Sequence, residues 1–474
     1  MRSKFLTACV VALLPLASCT VGPDYARPSL PMASGYKSAT TQRADVPQDW
    51  WRLFEDPTLT SLIERALANN QDLQGAMARV EQARASAGIA RAQFFPTIGF
   101  NPGLTIGSTA GRDGGTERST VLPIDVDYEV DLWGRVRRQF EAAKADTRAA
   151  ISDFGLTRLS LTTDVATLYF NLRSLDTQYQ ISAGNIALYQ RQLNFLTSQT
   201  KAGFAAPLDV IQVKTLLEST QATLFDLLRQ RANTEHALAI LLGLPPRELD
   251  VRFDPLKAAL PPVPSGLPAD LLRDRPDLAA AEQNLIAANA RVGEAITGYL
   301  PTVTLGLSVG IRNRSTTEAL RGNGGYYSFG PALSIPLFDP AIGSNVRANR
   351  AVYAERLAAY RQTLLGAFRD VEDALTNIDL QARQAEAQDR AVADAREYVR
   401  LAEIQNRQGI IAPLQVLDAD RTLLQNELTA AQILNARMAS IVQLIRALGG
   451  GWSPDLPPAF TPTTLPTAGQ QLTD

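Results

Sequence analysis

The apolar positions change their period several times along the chain, and each change marks an element. Residues 59–95 are rich in Ala, Arg, Gln and Glu, contain no proline, and place Leu62, Ala66, Leu73, Met77, Val80 and Ala87 at helical spacing, which predicts one helix. The pattern then switches to period two. Ile98, Phe100, Leu104 and Ile106 share one parity, and Thr97, Gly99, Asn101, Gly103 and Thr105 the other. A loop rich in Gly, Asp and Ser (107–119) leads to a second alternating run, Leu122, Ile124, Val126, Tyr128, Val130 and Leu132. Two such runs around a glycine-containing loop predict a hairpin of strands. Strands of about ten residues are long enough to cross a bilayer when tilted, although the same alternation suits a half-buried soluble sheet. Pro102, Pro123, Pro331 and Pro336 each withhold a ladder donor and predict bulges or strand ends.

Beyond the hairpin, residues 135–202 contain no proline, and only Gly155 and Gly184 interrupt a helical pattern. At 1.5 Å per residue that helix reaches about 100 Å, more than an ordinary globular domain accommodates. A turn at Gly203 precedes a return helix, 209–242, of about 50 Å, and the helix before the strands is about 55 Å, so the two shorter helices end to end match the long one. The whole order then recurs. Asp72-Leu73 returns as Asp277-Leu278, an offset of 277 − 72 = 205; Pro96-Thr97 returns as Pro301-Thr302 and Leu132-Trp133 as Leu337-Phe338 at the same offset. The second copy has strands through Val303, Leu305, Leu307, Val309 and Ile311, then Tyr327, Phe329, Leu333, Ile335 and Leu337, a long helix at 344–408 and a return helix at 415–448. Leu417, Leu424, Ala431, Met438 and Ile445 recur every seven residues, as in helices coiled against one another.

The fold class expected is therefore mainly α with a small β part: a long α-helical coiled-coil body plus four β-strands per chain, in two internal structural repeats. The divisions are a leader at 1–18, an N-terminal arm at 19–48, repeats at 49–254 and 269–452 around a proline-rich linker at 255–268, and an extended tail at 453–474.

Composition removes most chemistry from consideration. The only cysteines are Cys9 and Cys19, and the single histidine, His236, lies in a predicted helix, so no disulfide, metal site or histidine-based catalytic group is expected. No glycine-rich phosphate loop or nucleophile elbow occurs, and we expect no enzyme activity and no cofactor. With 46 basic against 48 acidic residues, evenly interspersed, nothing points to nucleic acid. At the N-terminus, Arg2 and Lys4 precede an apolar run that ends in Leu16-Ala17-Ser18-Cys19, the layout of a secretory signal. The ending resembles a bacterial lipobox, which implies cleavage before Cys19 and palmitate-type acylation of its thiol; Thr20, not aspartate, follows it, which favours the outer membrane. After this leader no run of 18 apolar residues occurs, so a membrane-spanning part is expected to be a β-barrel. Four strands cannot close a barrel in lipid, eight from two chains leave a filled interior, and twelve from three leave a passage. Asp125, Asp127, Glu129 and Asp131 share one parity opposite Ile124, Val126, Tyr128 and Val130, and are expected to line that passage or its mouth.

Several stretches resemble the outer-membrane efflux proteins related to TolC and OprM, in particular the lipoprotein branch that includes NodT: 19–28 (CTVGPDYARP), 50–59 (WWRLFEDPTL), 128–135 (YEVDLWGR) and 333–339 (LSIPLFD). The resemblance covers nearly the whole mature chain. It implies a homotrimer with a 12-stranded transmembrane β-barrel, a helical tunnel through the periplasm, and two partners, a periplasmic adaptor (membrane fusion) protein and an inner-membrane RND drug/proton transporter. A type I protein-secretion channel would share the fold, and a purely structural periplasmic coiled coil is the alternative outside the class. By the same resemblance, the turns at Gly203, Phe204, Ala205, Pro207 and Leu208 and at Gly409, Ile410, Ile411 and Pro413 are the tips that dock the adaptor. Leu414, Asp418, Arg421 and Asp209 match positions of the periplasmic gate. The chain departs from TolC in carrying Ile411 where TolC has an arginine, so a TolC-style salt-bridge lock is not expected.

Overall fold

The period changes become element boundaries in a computed structural model that describes residues 20–28, 46–108, 116–256, 260–261 and 275–453. The leader, Cys19 and most of the proline-rich linker and tail lie outside the described residues. In chain order the elements are α1 (Pro57–Asn69), α2 (Gln71–Ala92), β1 (Thr97–Phe100), β2 (Gly103–Ser108), β3 (Thr116–Val130), α3 (Arg135–Lys201) and α4 (Pro207–Leu241). The second repeat supplies α5 (Pro276–Thr297), β4 (Thr302–Asn313), α6 (Thr316–Leu320), β5 (Gly325–Ser334), α7 (Pro340–Arg407) and α8 (Pro413–Ala447). The long helices have 67 and 68 residues, hence about 100 Å each, and each return helix has 35.

Four boundaries correct the expectations. The helix predicted over 59–95 is two helices, because Asn70 is extended (ψ 128°) and works at both sides of the break. Its side-chain oxygen caps α2 by accepting from Leu73 N at 2.9 Å, and its Nδ2 donates to Leu241 O, an orphan carbonyl at the end of α4, at 3.0 Å. The return helices begin at Pro207 and Pro413, two residues before the predicted starts, since proline at the first helical position lacks only a donor that would be orphaned there. The loop of the second hairpin folds into α6, capped by Ser315. Leu132, Ile335 and Leu337 fall beyond the ends of their strands.

All strands are antiparallel in one sheet, β1-β3-β4-β5, with β2 also on β3. The two hairpins thus join through β3 and β4. The first predicted strand is interrupted at Asn101-Pro102, and the register sets this gap opposite Leu122-Pro123, so two prolines that cannot donate share one break in the ladder. Gly310 makes the other side of β3 possible: a Cβ there would lie 2.3 Å from Leu122 O and 2.8 Å from Pro123 Cα. Pro331 sits on the edge strand β5, and Pro336 follows its end.

Helix α3 is the spine: α1, α2, α4, α5 and α8 all pack on it, while α7 packs on α5 and α8. The main core forms midway along it. Trp50, Trp51 and Phe54 of a short 3-10 turn meet Leu59 and Ile63 of α1, Val165 and Leu172 of α3, Leu238 of α4, and Met438 and Ile445 of α8. Burial of each such side chain contributes about 1.5–3 kcal/mol. The heptad positions Leu417, Leu424, Ala431, Met438 and Ile445 are all buried. By length and composition α8 could cross a bilayer, contrary to the expectation that no helix would, but it packs along α3 and α7 as a core helix.

An ionic clamp, invisible in the periodicity, closes the first repeat. After α4 the chain doubles back through residues 249–256, where Arg231 donates to Val251 O (2.5 Å), Glu235 accepts from Val251 N (2.6 Å), Arg173 donates to Arg252 O (2.6 Å) and Asp176 accepts from Asp254 N (3.1 Å). The side chains also bind one another, Arg231 to Asp176 at 2.7 Å and to Glu235 at 2.9 Å. Arg173, Asp176 and Arg231 are buried, so loss of one cation leaves carboxylates without compensation. Arg231→Met should therefore cost about 3 kcal/mol in thermal unfolding of the detergent-extracted protein. Arg229→Met, which removes only an exposed pair with Asp226, should cost under about 1 kcal/mol.

Candidate functional site

Residues directly opposite in an antiparallel sheet share a face, so the register assigns every strand residue to one side. Ile98, Val126, Leu307 and Phe329 form one row across the four strand positions, and Phe100, Ile124, Val309 and Tyr327 form another. The opposite face carries Thr97, Asp127, Gly306 and Gly330, then Gly99, Asp125, Ser308 and Ser328. Along these rows one side is thus apolar and largely exposed, and the other is small and polar. The four acids of the predicted acidic face divide. Asp125 and Asp127 stand on the polar face, with Asp125 accepting from Asn101 Nδ2 at 3.4 Å. Glu129 is held by Arg135 through two bonds of 2.7 and 2.6 Å. Asp131, past the strand end, accepts from Val136 N (3.2 Å) and Arg137 N (3.1 Å), which caps α3 in place of Gly134, a glycine in the left-handed region (φ 81°) with no side chain for the task.

Each of the four strand–helix junctions carries an aromatic residue: Phe95, Trp133, Tyr299 and Phe338. Phe95, Tyr299 and Phe338 are exposed, and the Trp133 indole donates to Pro301 O at 2.7 Å. Aromatic rings with a polar edge, as in Trp and Tyr, concentrate where hydrocarbon meets water. The N-terminal arm starts at this level. Val21 N donates to Trp133 O at 3.0 Å, and Thr20 packs on Gly134. The arm then follows α3 and α5, held by buried Arg138, which bonds Val21 O and Asp24, by Asn289 on Pro23 O, and by Glu282, which pairs with Arg27 and accepts from Tyr25. A Cβ on Gly22 would lie 2.4 Å from Gly293 Cα, and one on Gly293 would press on Arg138 Nε at 2.9 Å and Val21 O at 3.2 Å, so the arm seats here only on glycines.

At the far end of the rods both tips end in the same way. Phe204 N bonds Gln199 O and Gly203 N bonds Thr200 O, and Ile410 and Gly409 repeat the pair on Gln405 and Asn406. This double closure needs a left-handed residue, which Gly203 (φ 82°) and Gly409 (φ 75°) supply. Of the predicted tip residues, Gly203, Phe204, Pro207, Leu208, Gly409, Ile410 and Pro413 are exposed, Phe204 at 82%. Ala205 and Ile411 instead turn inward, Ala205 toward the cluster of Tyr189, Val213 and Leu417 and Ile411 toward Ala402, Val416 and Ala419.

The two repeats meet at these tips. A cleft lined by Gln192, Asp209, Gln212, Asn406 and Leu414 brings together two of the four predicted gate residues. Asp418 and Arg421 lie on α8 just above, both exposed. Between them on the helix is Asp420, which sequence reasoning passed over and which is 4% exposed. It accepts from Gln192 Nε2 of α3 at 2.9 Å. Burial, with Glu403 of α7 adding to it, raises its carboxyl above the usual range. Only the heptad register could have flagged it, as a polar residue beside the buried positions Leu417 and Leu424. Among the described residues no cluster of His, Cys, Asp or Glu is suited to a metal ion.

With this geometry in place, comparison with known proteins gives consistent matches. The model of the family described as "Outer membrane efflux protein" matches residues 62–244 and 267–450, one segment per repeat. The solvent efflux pump outer membrane protein SrpC of Pseudomonas putida is 33% identical over 472 residues, covering 95% of this chain and 99% of SrpC. The pyoverdine export outer membrane protein OpmQ, also of Pseudomonas putida, is 33% identical over 466 residues, covering 95% and 98%. The solved structure of the outer-membrane channel OprN superposes with a TM-score of 0.85 at 31% identity, covering 92% of this chain and all of OprN's.

The two faces of the sheet predict opposite tolerances. Phe329→Arg should disfavour insertion by about 2–4 kcal/mol, whereas the neighbouring Ser328→Arg should insert normally. Folding of each purified variant into lipid vesicles, followed by heat-modifiable gel mobility, measures the difference.

Proposed function

This chain belongs to the outer membrane efflux protein family, and from that premise we propose that three copies close their sheets into one twelve-stranded barrel above a continuous helical tunnel. The protein is the outer-membrane channel of an efflux pump. The observation that carries the reading is the sheet itself, apolar on one side, polar on the other, and ending in unpaired strands at both edges. In hydrocarbon an unpaired edge costs several kcal/mol for each open backbone group, so the first strand of one copy would have to continue onto β5 of the next. Exposed apolar side chains along the rods, such as Phe225 and Ile240 of α4 and Leu365 and Leu380 of α7, supply surface for the same association.

In this arrangement the apolar rows face lipid and Asp125 and Asp127 face the lumen. Acylation of Cys19 would fix the arm at the height of the strand–helix junction, since Thr20 is anchored beside Trp133 and Gly134. The tips would dock a periplasmic adaptor through Phe204, Leu208 and Ile410, and an inner-membrane transporter of the RND type would load the tunnel. Leu414, Asp418, Arg421 and Asp209 would set its narrowest passage. Relatives named for solvents and for pyoverdine are each 33% identical to this chain over nearly its whole length, which supports a channel whose cargo is set by the inner-membrane partner. Among the described residues no arrangement supports catalysis, and the channel is read as non-enzymatic.

Deletion of the gene should lower the tolerated concentration of several antibiotics, dyes or solvents, restored by the wild-type gene, with protein export unchanged. Unchanged tolerance together with lost export of a hydrophilic protein would favour a protein-secretion channel. In planar bilayers the channel should prefer cations, and Asp125→Asn with Asp127→Asn should weaken that preference; a clear anion preference of the wild type would contradict the lumenal placement of these acids.

A further inference from the structure

We propose that Asp420 and Gln192 form a proton-operated latch that holds the gate-bearing end of α8 against the long helix α3. The inference rests on reading the tip as the channel's closed end and names a positioning pair within it. Leu414, Asp418 and Arg421 all lie within six residues of Asp420 on the same helix, so whatever fixes Asp420 fixes them.

The geometry is that of an incomplete pair. Gln192 Nε2 donates to Asp420 Oδ2 at 2.9 Å, yet Gln192 Oε1 is buried without a hydrogen-bond partner among the described residues. Tyr189 Oη, one turn back on α3 and fully buried, also has none. Gln192 Oε1 is an idle acceptor, and Tyr189 Oη an unused donor and acceptor, beside a group that, when ionised, has no proton to give. Protonated Asp420 has one. Donation from its second oxygen to Gln192 Oε1 turns a single N–H···O bond into a reciprocal acid–amide pair and satisfies a buried acceptor at once. The like charge of Glu403 argues the same way, whereas the cation Arg421 would favour the ionised form. Tyr189 approaches from α3, Glu403 from α7 and Arg421 from the same helix, with Glu403 partly engaged by Arg407 at 3.3 Å. The apolar Val213 and Leu217 of α4 complete the neighbouring core. The ionised form therefore carries a buried charge with a single bond, and a like charge nearby.

The sign follows from linkage. A carboxyl whose pKa is raised in the latched state binds its proton more tightly there than in an opened state exposed to water. The latch is therefore strengthened as pH falls through the raised value toward the ordinary aspartate pKa of about 3.9, and weakened above it. The tunnel entrance should close on acidification.

The test is conductance of the full-length channel in planar bilayers, scanned from about pH 8 to about pH 4. Wild type should conduct less as pH falls. Asp420→Asn can pair reciprocally with Gln192 at any pH, and should be about as closed as acidified wild type with no pH response. Asp420→Ala and Gln192→Leu cannot pair, and should conduct about fivefold more than acidified wild type, again without the response. If Asp420→Ala fails to assemble, Asp420→Asn and Gln192→Leu decide the matter. A mere packing role would not separate Asn from Ala in this way. A wild-type pH response surviving in Asp420→Asn overturns the latch. Leu414→Ser tests the underlying gate reading separately: it should raise conductance at every pH while keeping the response, and unchanged conductance in that variant would refute the gate and leave the pair without a function.

Discussion

In hydrocarbon a backbone amide or carbonyl has no water to turn to, and this constraint organises the whole molecule. The sheet satisfies its inner strands through β1-β3-β4-β5 pairing but ends in two open edges. Its apolar rows, Ile98 to Phe329 and Phe100 to Tyr327, would be equally costly in water. Only a surrounding of lipid on one side and further strands at both edges removes both costs. On the proposed reading, the helical body beneath the sheet holds the strands where further copies would complete the barrel.

The helical body does this with few specialised parts. A single spine, α3, receives five other helices, and its lengthwise partners are fixed by different chemistry at different levels. Near the sheet, Glu129 and Asp131 tie strand β3 to the first turn of α3, and the arm is strapped down by Arg138. Midway, Trp50, Trp51 and Phe54 fill an apolar core, and the Arg173–Asp176–Arg231–Glu235 clamp seals the end of the first repeat. Polar pairs also join α3 to α8 along the rod, Asn171 with Asn435 midway and Gln192 with Asp420 near the tip, where Tyr189 and Leu196 of α3 also meet Leu417 and Leu424 of α8.

Much of this was legible from residue pattern alone, because period two and period 3.6 leave different marks and because the chain states its plan twice. The long helices were found to within a few residues at most ends, since proline-free runs of that length admit little else. The sheet's two faces followed from parity, and the gap at Pro102 and Pro123 from their missing donors. What was hidden depended on contacts distant in sequence. Asn70 breaks a helix because its side chain has a partner at Leu241, 171 residues away. Glu129 keeps its place in the acidic row of β3, and Asp131 lies just past the strand end, but both are paired by arginines of the next helix. The tip turns were visible through Gly203 and Gly409, but whether Ala205 and Ile411 face outward was not, and Asp420 was concealed among better-known neighbours.

The claim on which the rest stands is that one chain is an open fragment of a barrel. Native mass spectrometry of the full-length protein extracted in mild detergent tests it most directly, read alongside conductance of the same material. The account predicts a dominant species of three chains that forms pores. A stable single chain that conducts, or pore-forming assemblies containing only two copies, would contradict it.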